Sequence, residues 1–245
     1  MKKNLTILLF FLFIFTALSG CTSENLTSLT EYISRPTNYN KHIKVKIIPI
    51  QNQETGKTPS TEETINQTID VFEKRLNTIN KKNVLIKKEG EDQIIISVSE
   101  NIDLEKVKEI IQQVGTLELK EQDPKTNSWR TVLTNTDLKP NSAKTEIDQI
   151  GRPYLTIIFN DEGKVKFAEI TKRNIKKHVA IYIDKKEISS PIVANAILNG
   201  ECQISSSNNI TMEEFKNLEI LINSGSLNAD IQIIDINRDN EKGKK

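Results

Sequence analysis

The sequence has little net charge, few aromatic residues and few cysteines. Its 245 residues carry a formal charge of +1, 5% of them are aromatic, and the two cysteines are Cys21 and Cys202. A charge this close to zero offers no basic field that would attract nucleic acid. Four of the eight phenylalanines lie before residue 20, so the core of the remaining chain must consist mainly of Ile, Leu and Val.

The sequence also lacks the motifs of common enzyme classes. It contains no Gly-rich phosphate loop, no G-x-S-x-G motif and no Cys/His cluster at zinc spacing. His42 and His178 are isolated in the sequence, so we interpret both as surface or strand-edge residues rather than as catalytic bases. We therefore predict that the protein is not an enzyme and has no catalytic residue, metal or cofactor.

Residues 1–21 have the layout of an export signal. Lys2 and Lys3 precede an apolar run over residues 5–18, and Leu-Ser-Gly-Cys closes the segment. The run is shorter than a transmembrane helix, which needs about 20 residues, and is typical of a secretory signal. The closing tetrapeptide resembles the lipobox of bacterial lipoproteins, in which the signal is removed before the cysteine and fatty acyl chains such as palmitate are attached. This resemblance predicts a signal peptide over residues 1–20 and lipid attachment at Cys21. The alternative is an ordinary cleaved signal with a chance cysteine.

A lipid on Cys21 would hold the protein at the extracytoplasmic face of a bacterial cell membrane. Cys202 would then have no partner for an intramolecular disulfide. It could be a nucleophile or could link a dimer, but we favour a small buried residue beside a strand. No later stretch approaches the length of a membrane span, so we expect the folded part to lie outside the bilayer.

A first folded unit is predicted over residues 43–125. Residues 21–42, which precede it, are polar and lack sustained periodicity, as is typical of a flexible tether. Within the unit, strand and helix patterns follow in the order βαββαβ, which predicts a ferredoxin-like sandwich. Their approximate positions are 43–47, 60–79, 84–86, 93–98, 103–114 and 116–119.

A second unit is predicted over residues 126–228. It is again α+β, with helices packed on a largely antiparallel sheet. Its first helix is expected to reach about residue 177 and to bury Phe167, Ile170 and Ile175. Residues 229–245 then form a terminal strand, which should return to the first unit or to its border with the second, and a frayed basic tail.

Several sequence blocks resemble SecD, the membrane subunit that assists Sec-dependent protein export. Residues 71–77 (VFEKRLN) and 113–119 (QVGTLEL) resemble the base of its first extracytoplasmic domain. The remaining blocks occur in the order expected for its head subdomain, at residues 131–138, 159–171, 179–184, 188–193, 197–200 and 222–227. The resemblance covers about residues 43–236, and it implies a SecD-like base followed by a SecD-like head.

The chain departs from the SecD pattern at several turns. Lys176, Lys185, Cys202 and Ser206 or its neighbours stand where glycines are usual, and Asn228 stands where a proline is usual. Losing glycine narrows the backbone conformations available at a turn, which affects the loop geometry of the head.

The resemblance implies a binding role in protein translocation. We interpret the chain as a stand-alone, lipid-anchored protein that captures unfolded polypeptide at the outer membrane face, through an exposed strand edge or an apolar groove between the units. Its implied partners are the membrane, unfolded secretory polypeptide and Sec translocon components, and the binding residues are not identified by the sequence. Without the membrane bundle of SecD, capture would be passive. The alternative is a structural or regulatory partner of a membrane complex that binds no client.

Overall fold

Residues 39–51, 56–80, 83–205 and 210–238 are described by a computed structural model of the chain. The predicted signal peptide, Cys21, the predicted tether as far as residue 38 and the basic tail after Arg238 lie outside these residues. The first strand begins at Tyr39, so the last four residues of the predicted tether belong to the fold. The prediction began the strand too late because Lys41 is polar and looks like a tether residue in the sequence. In the structure it is 6% exposed, and its Nζ donates to the Ile102 carbonyl at 3.1 Å.

The base is an antiparallel four-stranded sheet covered by two helices. Its elements up to residue 112 follow the predicted order. Their bounds are Tyr39–Pro49 (β1), Thr61–Asn80 (α1), Val84–Glu89 (β2), Gln93–Ser99 (β3) and Leu104–Gln112 (α2). The alternation in β1 buries Ile43, Val45 and Ile47 beneath the helices. Helix α2 is capped by Asp103, whose carboxylate accepts a hydrogen bond from the Glu105 N–H at 3.0 Å.

The fourth strand of the base comes from the C-terminal end of the chain. The sheet order is β11-β1-β3-β2, in which β11 spans Ala229–Arg238 and pairs with β1. The strand expected to complete the base, β4 (Leu117–Gln122), pairs instead with two strands of the head. Both strands alternate apolar and polar residues, so the local pattern alone does not select between them. The mixed α+β class with a ferredoxin-like base is confirmed, and the terminal strand returns to the base as predicted.

The described part of the head contains two further antiparallel sheets and two α-helices. Strands β5-β4-β8-β9 form one sheet, and strands β10-β7-β6 form the other. The bounds of the remaining elements are Trp129–Thr134 (β5), Leu138–Ile147 (β6), Pro153–Phe159 (β7), Asp161–Arg173 (α3), Val179–Ile183 (β8), Lys186–Ser189 (β9), Glu201–Ser205 (β10) and Met212–Ser224 (α4). Helix α3 ends four residues before the predicted end. Ile175 therefore lies in the following turn and is exposed, whereas Phe167 and Ile170 are buried as expected.

The two units have separate hydrophobic cores. The core of the base joins residues 43–111 of the first unit to Leu227 and Ala229. The core of the head lies entirely within residues 117–222 and includes Leu117 and Leu119 of β4. The chain passes from base to head at residues 113–116 and returns at residues 224–228. We call these two segments the outgoing and returning crossings.

The described chain enters and leaves the base at the same end. Lys41 in β1 is opposite Arg238 in β11, and Pro49 at the far end of β1 is opposite Ala229. The returning crossing immediately precedes Ala229, and the outgoing crossing follows α2. The head therefore lies at the end of the base opposite to Tyr39 and Arg238. No helix in the described ranges is both long and apolar enough to cross a membrane.

Candidate functional site: the free edge of the head

The residues that sequence analysis considered for chemistry do not form a common site. Cys21 lies outside the described residues. His42 lies in the base, where its Nδ1 is 2.9 Å from Ser97 Oγ, and His178 lies in the head, where its Nδ1 is 2.7 Å from the Ser190 carbonyl oxygen. Within the described ranges no group of three or more His, Cys, Asp or Glu residues is arranged to hold a metal ion.

Cys202 is a core residue of the head. Its side chain is buried among apolar residues, and this burial raises the pKa of its thiol to about 12. A thiol with such a pKa carries almost no thiolate at neutral pH and is a poor nucleophile. The structure therefore agrees with the small buried residue that the sequence favoured.

Strand β10 has one free edge. It pairs with β7 on one side, and no described strand pairs with its other side. The Phe159 N–H donates to the Gly200 carbonyl at 3.0 Å. Because bonded and non-bonded pairs alternate in an antiparallel ladder, the backbone N–H and C=O groups of Gln203 and Ser205 point away from β7. This edge is available to pair with an extended segment of another chain.

A polar cleft lies beside the end of this edge. Its volume is about 590 Å³, and its lining includes Ile147, Arg152, Tyr154, Gln203 and Ser205. Side chains of a strand added to β10 would point alternately towards this face of the sheet. The cleft and the edge therefore form one continuous surface.

The turn between β6 and β7 holds exposed apolar residues next to the cleft. Ile150 is 72% exposed, and Ile147 is also exposed. The turn is ordered by Asp148, whose carboxylate accepts hydrogen bonds from the Arg152 N–H at 2.9 Å and the Ile150 N–H at 3.0 Å. These bonds, above all that from the Arg152 backbone, lower the pKa of Asp148. The two isoleucines are thus presented on a defined backbone.

The opposite edge of the same sheet is closed. The Asn223 side chain of α4 accepts from the Ala143 N–H at 2.9 Å and donates to the Ala143 carbonyl at 2.8 Å. The Glu219 carboxylate accepts from the Thr145 N–H at 2.8 Å. Side chains of α4 therefore occupy the outward backbone groups of β6, which leaves β10 as the open edge of this sheet.

A buried carboxylate that sequence analysis missed ties α3 to the other head sheet. Glu121 in β4 is 2% exposed and accepts from Arg130, Arg173 and Asn174. Burial raises the pKa of Glu121, but hydrogen bonds from Arg173, Asn174 and Arg130 outweigh it and lower the pKa to about 2. Residues 172–177 contain four basic residues, and one of them, Arg173, binds the buried Glu121. Glu121 continues the buried alternation of Leu117 and Leu119 in β4, and an acid at this inward position was the available signal.

Comparison with known proteins agrees with this architecture. The family model described as "SecDF, P1 head subdomain" matches residues 112–229, and the one described as "Protein translocase subunit SecDF, P1 domain, N-terminal" matches residues 65–124. The two matches overlap at residues 112–124, and β4 lies within this overlap.

Relatives and a solved structure extend the comparison. SecD of Acidaminococcus fermentans is 32% identical over 188 residues, covering 77% of this chain and 43% of the relative. SecD of Dictyoglomus turgidum is 33% identical over 188 residues, covering 77% and 45%. The chain therefore spans less than half the length of these relatives. A solved structure of SecDF, described as a membrane component that enhances protein export, is similar to this chain with a TM-score of 0.63 and 21% identity. The match covers 79% of this chain and 98% of that chain, and it shows that the two share a fold. Together, the base, the head and these matches show that the chain belongs to the family of SecD first extracytoplasmic (P1) domains.

Proposed function

We propose that this chain acts in protein translocation at the extracytoplasmic face of the membrane, by binding unfolded polypeptide at the free edge of β10. The observation that carries the proposal is an open strand edge beside a cleft and two exposed isoleucines, in the head of a SecD P1 domain. The relatives are named as translocase subunits, which supports the pathway. The extracytoplasmic placement rests on the same family membership.

Strand addition would make the proposed binding selective for unfolded chains. A client segment must be extended and must have unpaired backbone groups, which a folded protein does not offer. The Glu201 N–H is already 3.2 Å from Asn199 Oδ1, so the outward groups of Gln203 and Ser205 are the main docking points. The exposed isoleucines would add apolar contact without requiring one client sequence.

The proposed capture is weak and passive. Each backbone hydrogen bond contributes about 0.5–1.5 kcal/mol, whereas association costs about 4 kcal/mol or more in lost freedom. A few bonds and a small apolar contact therefore give an affinity on the order of millimolar. Capture of this kind opposes the return of an emerging segment by mass action and needs no nucleotide or metal.

The test is a titration of the chain with an unfolded secretory protein and with the folded form of the same protein. We expect binding to the unfolded form alone. Gln203→Pro removes an outward N–H and leaves the ladder to β7 intact, so it should weaken binding about tenfold. Gln203→Ala retains the N–H and serves as the matched control, with an expected change of less than about threefold. Circular dichroism checks that both variants fold.

The titration also separates the alternative function. Equal affinity for both forms, or no binding at millimolar concentration, would contradict client capture. Either result would favour the structural or regulatory partner of a membrane complex. In that case, the intact complex should co-purify with the wild-type chain and with Gln203→Pro alike.

We further propose that lipid on Cys21 anchors the chain. The proposal rests on the Leu-Ser-Gly-Cys sequence and on the position of Tyr39, which starts β1 at the end of the base opposite to the head. At least two acyl chains would be needed for stable anchoring, since each buried methylene contributes about 0.8 kcal/mol and one chain alone is marginal. Cys21→Ser should abolish labelling with radioactive palmitate, and normal labelling of this variant would refute the anchor.

A further inference from the structure

Arg75 places a buried charge where the base meets the head. It lies on α1 and is 1% exposed. Its Nε donates to Ser224 Oγ at 3.0 Å, and its Nη1 donates to the carbonyls of Gln113 and, at 3.4 Å, Ile110. Its Nη2 donates at 3.0 Å to two carbonyls, those of Val114 and Gly225. One guanidinium nitrogen therefore joins the outgoing crossing to the returning crossing.

The charge of Arg75 is stabilised by the Ser224 hydroxyl and by backbone carbonyl groups rather than by a contacting carboxylate. Burial lowers the pKa of Arg75 to about 10, an effect that Asp184 partly opposes, so the guanidinium is charged at neutral pH. Within the described ranges no carboxylate lies within ion-pair distance of it. Leaving a buried charge without its hydrogen bonds is strongly unfavourable. Any reorientation of the crossings that removes their carbonyls from Arg75 is therefore opposed.

Each crossing contains a glycine with a left-handed φ. Gly115 has φ +84° and Gly225 has φ +85°. Glycine permits large changes of backbone direction, so both crossings have the residue type that a hinge requires. The crossings are also joined to each other, because the Leu227 N–H donates to the Val114 carbonyl at 2.8 Å.

The head holds the outgoing crossing from the other side. The Asp184 carboxylate, in the turn between β8 and β9, accepts from the N–H groups of Gly115 and Thr116 at 2.8 Å. The Asp184 N–H donates to the Thr116 carbonyl at 2.9 Å. The outgoing crossing thus lies between Arg75 of the base and Asp184 of the head.

We propose that Arg75 is the positioning residue that fixes the orientation of the head on the base. Without its guanidinium, the two glycine-containing crossings and the packing of α1 against α4 would remain as connections between the units, and the head would turn over a wider range of orientations. This inference does not depend on client binding.

The test measures the distance between one exposed residue of each unit. Nitroxide labels are placed at Lys88 in the base and Lys186 in the head of the full chain, with Cys21→Ser and Cys202→Ala to remove other thiols. We expect one narrow distance distribution by double electron–electron resonance. Arg75→Met keeps the aliphatic stem and removes every donor, and it should at least double the width of the distribution. Lys74→Met, one position away on the exposed face of α1, is the matched control and should leave the width unchanged.

Two milder variants cover the case in which Arg75→Met does not fold. Arg75→Lys retains the charge but cannot bridge both crossings, and Ser224→Ala removes the acceptor of Nε alone. Both should broaden the distribution, Ser224→Ala by less, with unchanged circular dichroism. A wild-type width in every folded variant would overturn the proposal, even if the midpoint of thermal unfolding falls, because that result would show a purely structural role.

Discussion

Replacing Glu121 by Gln should destabilise the head in a strongly pH-dependent way. Its carboxylate receives hydrogen bonds from Arg173 Nε at 2.8 Å, Arg130 Nη2 at 2.6 Å and Asn174 Nδ2 at 2.5 Å. Lowering its pKa from 4.5 to about 2 corresponds to about 3 kcal/mol of stabilisation at pH 7. We therefore expect Glu121→Gln to lose about 3 kcal/mol of unfolding free energy at pH 7.

The sign of the pH dependence follows from the direction of the pKa change. Because the folded pKa of Glu121 lies below the unfolded value, the unfolded chain binds a proton that the folded chain does not. The stabilisation is complete above about pH 5 and is lost as the pH falls towards 2. The difference between wild type and Glu121→Gln should therefore shrink to about 1 kcal/mol at pH 2.5.

Urea unfolding followed by tryptophan fluorescence measures this difference. The single tryptophan, Trp129, lies in β5 next to Arg130 and reports on the head. Glu169→Gln makes the same charge change at an exposed position of α3 and should lie within about 0.5 kcal/mol of wild type. A Glu121→Gln effect that is independent of pH, or below about 0.5 kcal/mol at pH 7, would refute the reasoning.

Three further predictions concern single residues. Lys185 follows Asp184 in a two-residue turn and has φ +67°. Lys185→Gly should raise the urea midpoint, because relief of about 1–2 kcal/mol of left-handed strain exceeds the cost of the added entropy of the unfolded chain. A lowered midpoint would contradict this prediction. Gly115→Ala should cost at least about 2 kcal/mol of unfolding free energy, because its Cβ would lie 2.7 Å from Arg75 Nη2; a wild-type urea midpoint would argue against it. Burial and a pKa of about 12 should keep Cys202 unreactive towards a thiol reagent at pH 8 until the head unfolds, so prompt reaction of the folded chain would show that the thiol is accessible.

The sequence predicted the elements of the base better than their assembly. Apolar spacing placed α1 and α2, and alternation placed β1 and β3, because each pattern records which face is buried. The choice between β4 and β11 as the fourth strand depends on which core receives their side chains. Leu117 and Leu119 enter the core of the head, and that contact exists only after the chain has crossed out of the base. No local pattern contains this information.

Buried charged residues were the second feature that was not predicted from the sequence. Arg75 lies three residues after Phe72 and four before Ile79, on the buried stripe of α1, and this position was a usable signal. A charged residue on an apolar stripe indicates a buried hydrogen-bond network, but its partners come from residues 110–114 and 224–225. The partners could therefore not be predicted from α1 alone.

At Lys176 and Lys185, two of the positions where glycine is usual, the replacement does not change the local backbone class, whereas Cys202 lies in β10 without a positive φ and Ser206 lies outside the described residues. Lys176 and Lys185 have φ +66° and +67°, the left-handed region that glycine favours. At Lys185 the turn between β8 and β9 is two residues long, a length that requires positive φ at both central positions in its common form. Asp184 meets this requirement with φ +49° and also binds the outgoing crossing. The pairing of β8 with β9 and the carboxylate contacts therefore outweigh the strain.

The geometry of the base links the two proposals on anchoring and capture. β1 contains 11 residues and is about 35 Å long, so the head lies roughly that distance from the point at which the chain enters the base. An anchor at Cys21, followed by a flexible tether and a base of this length, would allow the free edge of β10 to reach polypeptide that lies above the membrane surface. Capture on the order of millimolar affinity is ineffective in free solution, but a short connection raises the effective concentration of a binding site to millimolar. A strand edge with such a low affinity can capture polypeptide only where the emerging chain is locally concentrated. Fixing the head through Arg75 would add to this effect, since a single orientation keeps the edge at a constant distance from the base instead of spreading it over many.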